Sequence, residues 1–340
     1  MKKGTRIALV IGVILLAVGA TIINIAVGRA KKAGVPALEG MSWSFSSAPG
    51  YDQKGCTVCT DGEESFDAAG IERLDLDWVS GSVSVEKYDG KQIVVREDID
   101  ASAKEELRMR WKIENGTLFI LPCANNVRDL PEKRLTVLVP AAAKLIDADI
   151  DVSSAAVSVR DLELSGDIDV DAASGGTEIS NCVCRCINID SASGAQSVRD
   201  CECDGIRLNS ASGAQSLENC AAEGTVESDR ASGAFTATDL RCGALDSDGA
   251  SGKLRVDGLD CAGGVNANSM SGDVYISFAS VPEAVGVDTA SGDVTLVFPE
   301  GTGIDLDYDT ASGKLGGELK TGELPVEVDT ASGDLRIEYR

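Results

Sequence analysis

Eleven cysteines, 55 acidic residues and no histidine are what this 340-residue chain offers for chemistry. Without histidine, the commonest general base and the commonest metal ligand are both missing. Cys56 and Cys59 form a C-x-x-C, and Cys123 is the only other thiol of the first half. A zinc site would need a second pair, so a local disulfide or free thiols are expected there. The remaining eight, Cys182, Cys184, Cys186, Cys201, Cys203, Cys220, Cys242 and Cys261, fall at recurring intervals.

The intervals are those of a repeat. Aligned on the serine of an Asp-Thr-Ala-Ser-Gly pentapeptide, copies fall at Ser154, Ser174, Ser193, Ser212, Ser232, Ser251, Ser271, Ser291, Ser312 and Ser332, 19 to 21 residues apart. In that alignment Cys182, Cys201 and Cys220 share one column, and Cys184, Cys203, Cys242 and Cys261 share the next, interrupted by Ala222. The columns admit three readings. Cysteine can serve as a small buried hydrophobe. Strands about 4.8 Å apart also come within the Cα range of a disulfide, and stacked thiolates can hold a metal or cluster. The first reading is the expectation: core cysteines.

A second file is acidic. Asp or Asn recurs three residues before each serine, at Asp151, Asp171, Asp190, Asn209, Asp229, Asp248, Asn268, Asp288, Asp309 and Asp329. Such a side chain can hold a turn by bonding the amide two residues on. Alternatively a file of carboxylates binds divalent cations, with Asp288, Asp309 and Asp329 as the candidates. The Gly-Gly-x-Gly-x-Asp nonapeptide of calcium-binding β-rolls is absent, so turn capping is expected, with no metal and no cofactor. Paired carboxylates could run glycoside hydrolysis, but intervals this even leave no loop to wall a groove. The expectation is a protein that is not an enzyme.

Those files must be positioned by coils. Apolar residues follow the serine by three and five positions (Val274/Ile276, Val294/Leu296, Leu335/Ile337), by eight and ten (Cys182/Cys184, Leu240/Cys242), and precede the next by six and four (Val285/Val287, Val326/Val328). Period-two alternation puts each pair on one face of a short strand. Three short strands per turn, stacked on the next turn, define a solenoid. Its corners are the Ser-Gly pairs Ser291-Gly292, Ser312-Gly313 and Ser332-Gly333, where glycine supplies the positive φ of a tight bend. The fold class is therefore all-β, a single-stranded β-helix or β-solenoid of about 20-residue coils, preceded by one N-terminal transmembrane helix.

That helix is read at 7–27, an uncharged run long enough to span a bilayer. Residues 1–6 are expected in the cytoplasm, and the rest outside as the extracytoplasmic region of a single-pass membrane protein. A tether is expected over 28–69, an irregular β cap with the first coils over 70–150, and regular repeats over 151–340. The Ser80-Gly81 pair already looks like a corner. Of the net charge of −24, residues 151–340 carry −22, with 34 acidic against 12 basic residues. An acidic rod disfavours nucleic acid. Its self-repulsion, with charges flanking Leu335, Ile337 and Tyr339 on the expected terminal edge, leads to the expectation of a monomer.

The order Ser-Gly-x-Val-x-Val, then Asn-Gly-x-Leu-x-Ile at 115–120, Leu-x-Val-x-Val-Pro at 135–140 and Ser-Gly-Asp-Val coils resembles the bacterial β-strand-repeat adhesin family that includes the LiaG-like envelope proteins. The resemblance covers about residues 70–340 and implies a non-catalytic surface or envelope module that contacts a protein or a wall polymer. The alternative is an envelope-stress accessory that binds a membrane signalling partner.

Overall fold

The computed structural model describes residues 52–127 and 130–340. The expected cytoplasmic N-terminus, membrane helix and first part of the tether lie outside the described residues. The chain forms two compact units that meet in sequence at Ser193 and Gly194. Both are all-β, with no α-helix among the described residues.

In the unit up to Ser193, the strand Arg73–Tyr88 runs parallel to Asp147–Arg160, with Ser80 opposite Ser154, Val83 opposite Val157 and Val85 opposite Val159. Ser80-Gly81 is therefore a corner of the repeat. Gly81 has φ +95°, and a Cβ there would lie 2.0 Å from the carbonyl oxygen of Lys133, so only glycine fits. The other edge of Arg73–Tyr88 is covered by Thr117–Leu121 and Lys133–Pro140, also parallel. These in turn carry antiparallel partners, Arg110–Glu114 and Gln92–Asp98.

The fold begins earlier than the tether boundary at residue 69. Thr57–Val58 pairs with Arg110–Glu114, and Glu63–Asp67 pairs with Gln92–Asp98. Phe66, buried, meets Trp111 edge-on with ring centroids 4.8 Å apart. A five-residue strand with one aromatic anchor has too short a pattern to stand out from a tether. Lys133 and Glu97 clasp this region: Lys133 Nζ is 2.5 Å from Glu97 Oε1 and also donates to Leu107 O at 2.8 Å, and Glu97 accepts from Met109 N. Both side chains are buried, so removing either partner would strand a charge at a cost of about 3–5 kcal/mol.

The 194–340 unit is a stack of parallel coils. Gly205–Ser212, Ala221–Ser232, Arg241–Ser251, Gly264–Ser271 and Ala284–Ser291 pair in succession, serine opposite serine. The expected inward pairs are buried, as at Ile206/Leu208, Val265/Ala267 and Val285/Val287, except in the coil of Ser312, where Leu306 and Tyr308 are half-buried. The alternation runs one step further than the two expected positions. The residue two before each serine also points into the core, so Ser210, Arg230, Ser269, Thr289 and Thr330 are buried.

The last two coils stack out of chain order. Ala284–Ser291 pairs with Leu324–Ser332, and Ile304–Ser312 pairs with the far side of Leu324–Ser332. Likewise Leu335–Tyr339 sits between Val294–Phe298 and Leu315–Gly317. The sequence expectation that Leu335, Ile337 and Tyr339 form the terminal edge is therefore corrected: they are an interior strand. Burial explains the exchange. An interior coil is covered on both sides, and the 324–339 coil brings Val326, Val328, Leu335 and Ile337, all at most 1% exposed. It also extends the aromatic file Phe278, Phe298, Tyr339. The 304–317 coil brings Gly316 and Gly317 opposite Arg336 and Ile337, and its Leu315 stays 47% exposed. The coil with less to bury takes the position with one neighbour.

Ile337→Ala should therefore cost about 2–5 kcal/mol as a core cavity, and Leu315→Ala less than about 1 kcal/mol. Hydrogen exchange should find the amides of 324–339 better protected than those of 304–317. The opposite ranking would restore chain-order stacking.

Candidate binding face

Where three positions of the long strand face inward, the two between them face away from the core, several of them half-buried and Asp151 and Asn209 buried. These lie five and three residues before each serine, and register stacks each on its equivalent in the next coil. In the unit up to Ser193 the resulting face carries Asp75 and Asp77, then Asp149 and Asp151, Asp169 and Asp171, Asn188 and Asp190. In the 194–340 unit it carries Arg207 and Asn209, Glu227 and Asp229, Asp246 and Asp248, Asn266 and Asn268, Gly286 and Asp288, Glu327 and Asp329, Asp307 and Asp309. The expected single acidic file is thus half of a two-file face.

The face relieves its own repulsion in three ways. Asparagines interleave and donate: Asn188 Nδ2 to Asp169 Oδ1 and Asn268 Nδ2 to Asp248 Oδ1, both at 2.7 Å. Arg207 Nε lies 2.6 Å from Glu227 Oε2. Elsewhere the carboxyls hold protons more tightly. Burial, then the Asp248 and Glu227 charges, push Asp229 up to about 6. Burial first and neighbouring carboxylates second also raise Asp169, Asp246 and Asp288; at Asp169 the Asn188 bond opposes them.

The expected turn bond to the amide two residues on is not formed at Asp171. The Asp positions lie within strands, and the amide two residues after Asp171, that of Ala173, donates to Val152 O of the coil before at 3.0 Å. The hydroxyls of the corner do the pinning. Ser154 Oγ donates to Val79 O, Ser174 Oγ to Ser153 O, Ser232 Oγ to Ala211 O and Ser251 Oγ to Ala231 O, at 3.1 to 3.3 Å. Gly292 and Gly333 take the expected positive φ of +134° and +154°, whereas Gly313 in the outermost coil does not. A second corner went unnoticed in the sequence. Asp161, Asn181, Asp200, Asn219, Asp239 and Gly258, seven residues after their serines, all have φ between +50° and +71°. The signal was the recurrence of Asp, Asn or Gly directly before the Cys182/Cys201/Cys220/Leu240 column, since those residues enter the left-handed region most readily.

The cysteine columns face the core: Cys182, Cys184, Cys201, Cys203, Cys220, Cys242 and Cys261 are buried, and none of the eleven cysteines is joined in a disulfide. Burial pushes Cys220 up to about 11, far from a thiolate at neutral pH. Cys242 and Cys261 lie opposite each other in register, and their mutual hydrogen bond, then burial, raise Cys242. Asp288, Asp309 and Asp329 share one file in the spatial order 288, 329, 309. Among the described residues no three Cys, Asp or Glu side chains converge as a metal ion requires.

Corner by corner, this is a parallel β-solenoid with stacked Ser-Gly bends, an aliphatic and thiol core and an acidic strand face. The chain belongs to the Toastrack DUF4097 family, whose pattern matches residues 71–338. Among solved structures it is similar to a "putative adhesin" from Bacteroides fragilis, at 12% identity and TM-score 0.37 over 81% of this chain and 95% of that one. A "putative adhesin" from Parabacteroides distasonis aligns at 10% identity and TM-score 0.38 over 83% and 98%. A "putative lipid binding protein" from the same organism aligns at 13% and 0.34 over 82% and 96%. No curated protein matches the chain.

The raised carboxyls fix a sign. The folded state holds its proton on Asp229 up to about pH 6, while the unfolded chain releases it near pH 4. Stability from this group is full below pH 4 and is lost as pH rises toward 6. Asp229→Asn should therefore raise the melting temperature at pH 7 and flatten its fall between pH 4 and 6. An unchanged pH profile would show that Asp229 titrates normally. In the core, Cys203→Ser should destabilise by about 1–3 kcal/mol by burying a hydroxyl; a fully stable variant would contradict the inward placement.

Proposed function

We propose that this protein is a membrane-anchored, extracytoplasmic, non-catalytic surface module of the adhesin kind, and that its acidic strand faces hold partners bearing ammonium or guanidinium groups. The observation that carries this reading is the in-register pairing of two outward acidic files. Carboxylates repeating about every 4.8 Å offer a periodic array that no single pocket provides, suited to an extended polymer or a basic protein surface. Such binding gains from many weak charge contacts at once and weakens with salt. The resemblance of the repeat pattern to the β-strand-repeat adhesins supports a surface role, and the uncharged run at 7–27 supports the anchor.

The test has two arms. Protease added to intact cells, or to protoplasts where a wall intervenes, should remove the repeat region; full protection would reverse the orientation. The full chain in detergent should bind oligolysine with an affinity that falls steeply between 50 and 300 mM salt. Replacing Glu227, Asp229, Asp246 and Asp248 by their amides should cut that affinity about tenfold, a loss near 1.4 kcal/mol. Unchanged affinity would remove the face from the binding reading. Proximity labelling that marks chiefly membrane sensor proteins would favour the accessory role instead.

A further inference from the structure

The 194–340 unit ends on an open strand. Ile304–Ser312 gives one edge to Leu324–Ser332. Its other edge is covered at the first residue, where Ile304 N donates to Lys320 O at 2.8 Å and Gly322 N donates to Ile304 O at 3.0 Å. Past that point, among the described residues, no strand and no backbone hydrogen bond reaches the free edge of 305–312. The run from Asp305 to Ala311 contains no proline, glycine or lysine, the residues that commonly close an edge to strangers.

The core columns are open at the same end. In the neighbouring coil Val326, Val328, Leu335 and Ile337 are at most 1% exposed, because a coil lies on each side of them. Their counterparts in register are Leu306, Tyr308, Leu315 and Gly317. Leu306 and Tyr308 are half-buried, Leu315 is 47% exposed, and Leu319 just beyond is 49% exposed. Alternating with Leu306 and Tyr308 along the strand, Asp305 and Asp307 are exposed and lie on the side away from the core. The end therefore presents free backbone donors and acceptors with apolar side chains on one face of the strand and carboxylates on the other.

Strand addition to such an edge reads a partner twice, through its backbone and through its alternate side chains. Residues stacked on Leu306 and Tyr308 extend the core if they are apolar. Those stacked on Asp305 and Asp307 stabilise the pair if they are basic and destabilise it if they are acidic. Parallel and antiparallel docking ask for the same alternation, because outward positions meet outward positions in both. A second copy laid edge to edge answers it badly, since its own aspartates would face these. We propose that the open edge of 305–312 is a strand-addition site for a protein segment in which lysine or arginine alternates with apolar residues. The site rests on the acidic-face reading only for the sign of the partner's charge; the docking surface itself is the backbone edge at the end of the unit.

Peptide binding to the full chain in detergent, read together with hydrogen exchange, tests this. The peptide Lys-Val-Lys-Val-Lys-Thr should bind about tenfold more tightly than Lys-Lys-Lys-Val-Val-Thr, which has the same charge and composition but cannot put its basic and apolar groups on opposite faces of a strand. It should also slow exchange at alternate amides of 305–311. Asp305→Lys combined with Asp307→Lys, both at exposed positions, should abolish the preference. Replacing Glu227, Asp229, Asp246 and Asp248 by their amides should leave the preference intact, which separates a failure of this site from a failure of the acidic face. Equal affinity for the two peptides, or peptide binding that leaves the exchange of 305–311 unchanged, would overturn the proposal. Slow exchange of these amides before any peptide is added would overturn it equally, assigning the edge to a second copy if sedimentation finds a dimer and to another segment of this chain if it finds a monomer.

Discussion

Every side chain of a regular coil sits directly over its equivalent in the next, about 4.8 Å away, and that register is the constraint from which the rest follows. A residue type is tolerated in a column only if it tolerates a copy of itself, or of a close substitute, above and below. Aliphatic residues and thiols pass that test in the core. Serine passes it at the corner because its hydroxyl reaches the carbonyl of the coil before, as Ser232 does to Ala211. Glycine passes it at the bend because no Cβ can enter: at Gly233 or Gly272 one would lie 2.0 or 2.1 Å from a carbonyl oxygen of the neighbouring coil.

Aspartate passes the test poorly, and its persistence on the outer face is therefore informative. Stability alone would have replaced more of these carboxylates by threonine or asparagine. The two asparagine pairs that do appear show the relief available, and Asp229, raised by burial first and by the Asp248 and Glu227 charges second, lies where none intervenes. A charged array kept against a self-repulsive cost is a reason to look for function on that face.

Arg230 breaks the column rule in the core outright, and the break is compensated locally. Gly249 removes a side chain from the coil above, Ser228 and Ser247 replace aliphatic residues in the adjoining column, and glutamines substitute at the first core position after the corner. Five coordinated departures around one guanidinium make a single structural unit, not scattered drift.

The sequence by itself determined the repeat, its corner serines and glycines, the inward cysteines and most of the core, because these are set by local alternation and by a period that any one coil displays. It also placed Ser80-Gly81 as the first corner. Half of the acidic face, the inward position of Ser210 and Thr289, and the left-handed corner at Asn181 and Asn219 were present in the letters but depended on which strand continued through the bend. Two features belonged to tertiary structure alone. The strand Glu63–Asp67 is held by partners distant in sequence and by Phe66 against Trp111. The exchange of the last two coils is decided by comparing how much each can bury on two sides, a competition between whole coils that no local pattern records.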